Sequence, residues 1–323
     1  MPDAKPMQYR IIDRFSGDHE GERQRVIAAL TAPAATIAPK YFYDELGCAL
    51  YAAICQLPEY YPTRTEAEIF RDHRLEIAAA IGRAKQFVDL GAGDCCKAQA
   101  WLSFIFPARY IAVDIAGAEL DRALSRMAPD FPEVEMLGVV ADFTTGLPLG
   151  DVLDDRPVTF FYPGSSIGNF TPEEAAAFLA RVREHCATRP DSGLLIGVDG
   201  KKPRATLDAA YDDALGVTAA FNLNALLHLN HRFGFDFALD GFRHVGFYNE
   251  AKGRVEMHLE SVREQSVRLG DRVRRFERDE FIHTENSYKY HAAEFEALLR
   301  GAGFQAIRRW ASPGDAFFVF YAA

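Results

Sequence analysis

From about residue 65 the apolar positions fall into two alternating textures: short continuous runs, and longer stretches where they recur with helical spacing. The runs at 86–90, 109–114, 134–140, 158–162 and 194–199 read as strands, because continuous apolar segments of that length suit a sheet covered on both faces. Between most of them lie amphipathic segments that read as helices, one starting near Cys96 and one near Ala118. Thr65-Glu66-Ala67-Glu68 has a capping-box pattern and predicts a helix running toward Gly82. Thr171-Pro172-Glu173-Glu174 predicts another, with proline in its first turn. This βαβαβ rhythm implies an α/β fold: a parallel, Rossmann-like sheet with helices on both faces.

The texture changes over 201–290. A helical part from Ala205 to about Arg232 precedes strand-like alternation at 242–248, 254–262 and 266–276, with Asn249-Glu250-Ala251-Lys252-Gly253 as a hairpin loop. A helix returns over 290–300 and stops at Gly301, and two closing strands, 304–310 and 316–321, flank Ser312-Pro313-Gly314-Asp315. The α/β domain is therefore expected to be discontinuous, made of 66–200 and 291–323. Residues 1–65 and 201–290 are assigned to an inserted α+β substrate-binding domain, although 1–38 carry no recognisable motif.

Composition narrows the function. A formal net charge of −10 argues against the broad basic surface that nucleic-acid binding needs. No run of about 18 apolar residues exists and the first residues contain no apolar signal core, so a cytoplasmic protein without a membrane partner is expected. The five cysteines, Cys48, Cys55, Cys95, Cys96 and Cys186, form no CxxC pair, and the nine histidines show no HxH or HExxH spacing; no metal site is expected. Oligomeric state stays open, a monomer being compatible.

The first predicted strand leads into Asp89-Leu90-Gly91-Ala92-Gly93-Asp94. Glycines there let the backbone approach a ligand that a β-carbon would block. A dinucleotide fingerprint would place a third glycine where this chain has Cys96. Asp114 ends the second strand, where a carboxylate can accept from ribose hydroxyls, and Asp142-Phe143 follows the third, pairing an acid with an aromatic face suited to adenine. The bland alternative is that both acids cap the helices that follow. Acids at the ends of three successive strands resemble the cofactor site of class I methyltransferases, which bind S-adenosylmethionine there, and the closing strand pair resembles that class too.

Two further segments are more distinctive. Tyr41-Phe42-Tyr43-Asp44-Glu45-Leu46-Gly47 continues to Leu57-Pro58-Glu59-Tyr60-Tyr61-Pro62-Thr63-Arg64-Thr65-Glu66, and Tyr162-Pro163-Gly164-Ser165-Ser166-Ile167-Gly168-Asn169-Phe170-Thr171-Pro172-Glu173 follows the fourth strand. With Ala210-Tyr211-Asp212-Asp213, Val255-Glu256-Met257 and Thr284-Glu285-Asn286-Ser287, they resemble the histidine-specific methyltransferase family from about Pro39 to the C-terminus. The resemblance implies S-adenosylmethionine-dependent methylation of the α-amino nitrogen of L-histidine. It further implies three successive transfers to Nα,Nα,Nα-trimethylhistidine (hercynine) for ergothioneine biosynthesis.

It also implies roles. Gly91, Gly93, Lys97, Asp114, Asp142 and Phe143 would hold the cofactor; Asn169 and Tyr43 would be catalytic; Tyr60, Asn169, Tyr211, Met257, Glu285 and Ser287 would hold the substrate. Asn169 lies at the carboxyl edge of the sheet, where its amide oxygen can accept from an α-amine, though asparagine also forms turns. By resemblance Tyr43 and Tyr211 hold the carboxylate and nearby waters. The i, i+2 spacing of Glu285 and Ser287 puts both on one face of an extended segment, able to grip two imidazole nitrogens, with Tyr60 at the ring. A solvated strand residue is the ordinary alternative for Glu285, and a core methionine for Met257. The family's usual G-[SA]-G-T-S-x-K-T stands here as Gly91-Ala92-Gly93-Asp94-Cys95-Cys96-Lys97-Ala98. The extra acid is expected near the sulfonium or amino-acid end of the cofactor, and both cysteines are expected to pack rather than react. The rivals are an α-N-methyltransferase for another aromatic amino acid and a non-enzymatic S-adenosylmethionine-binding protein. A nicotinamide-dependent dehydrogenase is disfavoured by Cys96.

Overall fold

The computed structural model describes residues 9–14, 18–83, 85–144 and 146–323. In chain order its strands are β1 (Tyr9–Asp13), β2 (Ala35–Thr36), β3 (Gln86–Leu90), β4 (Arg109–Asp114), β5 (Glu135–Val140), β6 (Val158–Tyr162) and β7 (Gly193–Asp199), then β8 (Phe242–Asn249), β9 (Arg254–Ser261), β10 (Gln265–Leu269), β11 (Arg272–Phe276), β12 (Phe281–Tyr288), β13 (Ile307–Ala311) and β14 (Phe317–Ala322). The large sheet runs β1-β5-β4-β3-β6-β7-β14-β13. Strands from β1 to β7 pair in parallel, while β14 is antiparallel to both of its neighbours. Strand order therefore reverses between β3 and β6, which opens a crevice at the carboxyl ends of the strands. This is the class I methyltransferase arrangement with one additional edge strand.

Every residue of β3, β6, β7 and β14 is buried, which explains why they read as continuous apolar runs. One apolar core lies beneath the helices Pro172–Ala187 and Ala292–Gly301, and a second beneath Tyr61–Asp72, Arg74–Ile81, Cys96–Ile105 and Gly117–Met127. A third core, rich in phenylalanine and tyrosine, fills the space under a four-stranded sheet of order β2-β12-β9-β8. Helix Val217–Phe233 packs on β8 and β9, and helix Glu45–Ile54 packs on it in turn. The chain leaves the large sheet after Asp199 and returns at Tyr290, where a parallel bridge joins Gly200 to Tyr290. Among the described residues no helix is long and apolar enough to cross a membrane.

Several expectations need correction. The helix predicted from Thr65 begins at Tyr61 with Pro62 in its first turn, so Glu66 lies mid-helix, and the run toward Gly82 breaks at His73. Thr171 does form a full capping box with Glu174. The single helical part after Ala205 is two helices, Arg204–Tyr211 and Val217–Phe233, separated by a turn through Gly216. The run 266–276 is a hairpin, β10–β11, and not one strand. Residues 1–65, grouped by sequence with 201–290, divide between the two sheets: β1 pairs with β5, whereas β2 pairs with β12.

Candidate active site

At the carboxyl end of β3 the backbone turns through Gly91 and Gly93, both left-handed, with φ of +72° and +51°. A β-carbon on Gly91 would lie 3.7 Å from the Phe143 ring, whereas one on Gly93 would meet nothing within 4 Å. The turn is thus an open cradle with an aromatic wall. Asp114, at the end of β4, accepts from the Gly93 amide at 2.8 Å and from the Ala116 amide at 2.9 Å. It braces the glycine turn and the next helix together, so both readings of this acid meet in one side chain. Burial raises its pKa against the opposing pull of those amides. Asp142 accepts from the Thr144 amide at 3.1 Å and receives the Lys40 ammonium at 3.3 Å. Carboxylates at two strand ends, an aromatic face and an open glycine cradle suit an adenosyl group.

Lys97, expected at the cofactor, is held by an ion pair. Its ammonium lies 2.7 Å from a carboxylate oxygen of Glu66, whose other oxygen accepts from the Gly164 amide at 2.6 Å. The lysine thereby ties the helix after the glycine turn to the loop after β6. Asp94 accepts from the Cys96 amide at 3.1 Å, one of the orphan donors of that helix start. Of the two cysteines, Cys95 is buried, its thiol pushed up to about 12 by desolvation, while Cys96 is exposed rather than packed.

The residues expected to hold the substrate ring lie on β12. Its pairing with β9 shifts between His283 and Glu285, leaving Thr284 as a bulge whose hydroxyl donates to the Met257 carbonyl at 3.0 Å. Beyond the bulge Glu285 stands opposite Met257 and Ser287 opposite Val255, while before it Ile282 stands opposite Leu259. Leu259, Met257 and Val255 share one buried face of β9, so their partners Ile282, Glu285 and Ser287 lie on that same face of the sheet. Met257 is buried in the aromatic core directly across from Glu285.

Asn169 closes the short turn Ser166–Asn169, which packs against β12 so tightly that a β-carbon on Gly168 would come within 2.8 Å of the Tyr288 carbonyl. The Asn169 side chain lies near Glu285 and favours its charged form. With its NH2 turned toward that carboxylate, the amide oxygen is available as an acceptor. Burial pushes the Glu285 carboxyl up to about 7, with Lys289 and Asn169 opposing the shift.

Tyrosines form the wall. The Tyr43 ring meets Tyr51 and Phe221 edge-on, at 5.8 and 5.7 Å. Burial raises its hydroxyl pKa, with smaller contributions from Tyr51, Glu285 and Asp114. Tyr60 packs edge-on against Tyr211 at 6.1 Å and against Tyr51 at 6.4 Å. The Tyr211 hydroxyl, expected at a substrate carboxylate, lies 2.7 Å from Ser287 Oγ and 2.9 Å from Lys289 Nζ.

A family model described as histidine-specific methyltransferase, dependent on S-adenosylmethionine, matches residues 22–323. The chain belongs to this family. The histidine N-alpha-methyltransferase of Mycolicibacterium smegmatis is 38% identical over 304 residues, covering 92% of this chain and 93% of its own. Ergothioneine biosynthesis protein 1 of Neurospora crassa is 31% identical over 277 residues, covering 83% of this chain and 31% of that longer protein. A 4-dimethylallyltryptophan N-methyltransferase of Arthroderma benhamiae is 27% identical over 323 residues, covering 94% of each. As a histidine-specific methyltransferase the protein is an enzyme that uses S-adenosylmethionine.

Sequence reasoning overlooked a buried polar layer beneath this methyltransferase site. Lys289 Nζ sits 2.8 Å from Asp199, both side chains essentially inaccessible, and Asp199 also receives Lys202 and the Tyr61 hydroxyl, the latter at 2.6 Å. A signal existed: Glu285, Ser287 and Lys289 continue one period-two series, which places lysine on the face of the other two. Glu66 gave no such signal, because its sequence context reads as a helix cap.

Proposed function

We propose that this protein methylates the α-amino nitrogen of L-histidine, in three successive transfers that end at Nα,Nα,Nα-trimethylhistidine for ergothioneine biosynthesis. The observation that carries the reading is the placement of Glu285 and Ser287 on one face of β12 past its bulge, beside the turn that ends at Asn169. Glu285 and Ser287 take the two imidazole nitrogens. A substrate without those ring atoms leaves half-buried polar groups unpaired, a penalty worth up to about 10⁴-fold in selectivity. Names of the two relatives that concern histidine or ergothioneine support the same substrate.

The cofactor, when bound, supplies an electrophilic methyl group on a sulfonium. Gly91, Gly93, Asp114, Asp142 and Phe143 hold it, and Lys97 contributes from its place beside Glu66. Asn169 accepts from the α-amine through its amide oxygen and aims the nitrogen lone pair. Tyr43, packed against Tyr51 and Phe221, closes the space between the two ligands and excludes water. Alignment of the nitrogen and the methyl group supplies most of the acceleration, and the amine reacts in its neutral form. The reaction takes place in the cytoplasm on a free amino acid.

The test is mass spectrometry of the purified protein with S-adenosylmethionine and the twenty amino acids together. Histidine should gain up to three methyl groups, and none with Glu285→Ala. Methylation of tryptophan instead would favour the chemistry of the tryptophan-derivative relative. Cofactor binding without any methylation would point to a binding protein.

A further inference from the structure

We propose that Lys289 imposes a single direction on the hydrogen bonds through Tyr211 and Ser287, so that the cleft offers one acceptor and one donor and selects a neutral imidazole ring. The inference rests on histidine being the substrate.

The argument is a count of protons. An ammonium has three donors and no acceptor, and those of Lys289 have three partners: Asp199 at 2.8 Å, Tyr211 Oη at 2.9 Å and Ser287 Oγ at 2.8 Å. Burial opposes the Lys289 charge, but Asp199 and Tyr211 more than offset it and raise the pKa, so the charge is retained. Tyr211 therefore accepts from Lys289. Of the two hydroxyls 2.7 Å apart the phenol is the more acidic, so Tyr211 donates to Ser287. Ser287 Oγ then accepts twice, which fills both of its lone pairs, and its own proton must point outward. Two residues away on the same face, Glu285 can only accept when ionised. Together they present acceptor and donor to the two nitrogens of one neutral ring, and a second ring N–H would meet the Ser287 proton head-on.

The charges agree. Asp199 on β7 and Glu285 on β12 are balanced by Lys202 and Lys289, and the remaining groups facing the ring, Tyr43, Tyr60 and Asn169, are neutral. A cationic ring would add an uncompensated charge to a site that also receives a sulfonium.

The experiment measures binding by calorimetry with S-adenosylhomocysteine in place of the methyl donor, from about pH 5.5 to 8. Two ligands are compared: histidine, and the analogue with 1,2,4-triazole in place of imidazole, which stays neutral and keeps a ring N–H and a ring acceptor. Their Kd ratio cancels the titration of Glu285. In the wild type, histidine should lose about tenfold per pH unit relative to the triazole below its ring pKa near 6.5. In Lys289→Met, where Ser287 regains an open lone pair, the ratio should stay flat. Tyr211→Phe opens the same lone pair while retaining the buried lysine and should flatten the ratio too, which keeps the test informative if the lysine variant misfolds. A flat or falling ratio in the wild type would show that Ser287 accepts from the ring, and the proposal would be wrong. An unchanged slope in both variants would remove Lys289 from the role. Failure of histidine to bind the wild type would overturn the histidine reading itself, whereas failure of the triazole alone would overturn the proposal, since a neutral ring with one N–H and one acceptor would then not suffice.

Discussion

Glu66 and Lys97 form an ion pair, 2.7 Å between charged atoms, in which the carboxylate is only 1% exposed. Space for that carboxylate comes from Gly197 on β7, where a β-carbon would sit 2.0 Å from Glu66 Oε1. The pair thus joins three segments: the helix after the glycine turn, the loop that leads to Asn169, and β7 between β6 and β14 of the large sheet.

Glu66→Gln keeps an acceptor for the Gly164 amide but removes the charge. We expect about tenfold weaker S-adenosylhomocysteine binding and a loss of about 1–2 kcal/mol in stability, since a half-satisfied buried site costs roughly that much. Gly197→Ala should reproduce the binding defect by pushing the carboxylate aside. Calorimetry on both variants checks the link, and wild-type affinity in the pair would show that Lys97 acts without Glu66.

Glu285 makes apo stability depend on pH. Its folded carboxyl titrates at about 7 against an ordinary value of 4.5, burial being the main cause. Between those values the unfolded chain has released its proton while the folded protein keeps it. Stability contributed by the protonated form is therefore present below pH 4.5 and lost as the pH rises toward 7. Glu285→Gln should gain about 1–3 kcal/mol over the wild type at pH 8 and little at pH 4.5. Urea unfolding without histidine measures the difference. Asp89, also pushed up to about 7 by burial, titrates in both proteins and cancels. An equal gain at both pH values would remove Glu285 as the source.

Asn169→Ala removes the amide proposed to accept from the α-amine. kcat should fall about 100-fold, in line with the loss of one aligning contact, while S-adenosylhomocysteine affinity stays at the wild-type level. A parallel loss of cofactor binding would indicate that the turn has collapsed.

Asp114→Ala releases two backbone amides at once. Cofactor binding should weaken by more than tenfold, with about 1–2 kcal/mol of stability lost because the Gly93 turn loses its brace. If Asp114→Asn, which retains an acceptor for one amide, restores stability but not affinity, the bracing and ligand-holding roles of this acid separate.

The large sheet was legible because its strands are buried on both faces, so apolar runs such as 86–90 and 158–162 mark them without ambiguity. Helix starts were legible only where the capping chemistry operates. Thr171 caps its helix through its own side chain, whereas Thr65 has the same local pattern inside a helix that Tyr61 and Pro62 had already begun. Packing of that helix on β14 overrode the local signal. The placement of β1 at the sheet edge was not legible, because its alternation of half-buried and exposed residues is weak.

For the site, the sequence alone determined the chemical parts: the glycine turn, the acids at successive strand ends, the asparagine after β6 and the E-x-S pair. Each belongs to one local segment, and backbone geometry or period-two alternation decides where such side chains point. The tertiary structure decided their partners. It delivered Lys97 to Glu66, Tyr211 to Ser287, and Lys289 to Asp199 across the junction of the two sheets. Those pairings join residues far apart in the chain, and a buried charge takes whichever opposite charge or hydrogen-bond partner the packed fold leaves within reach, which no local pattern encodes.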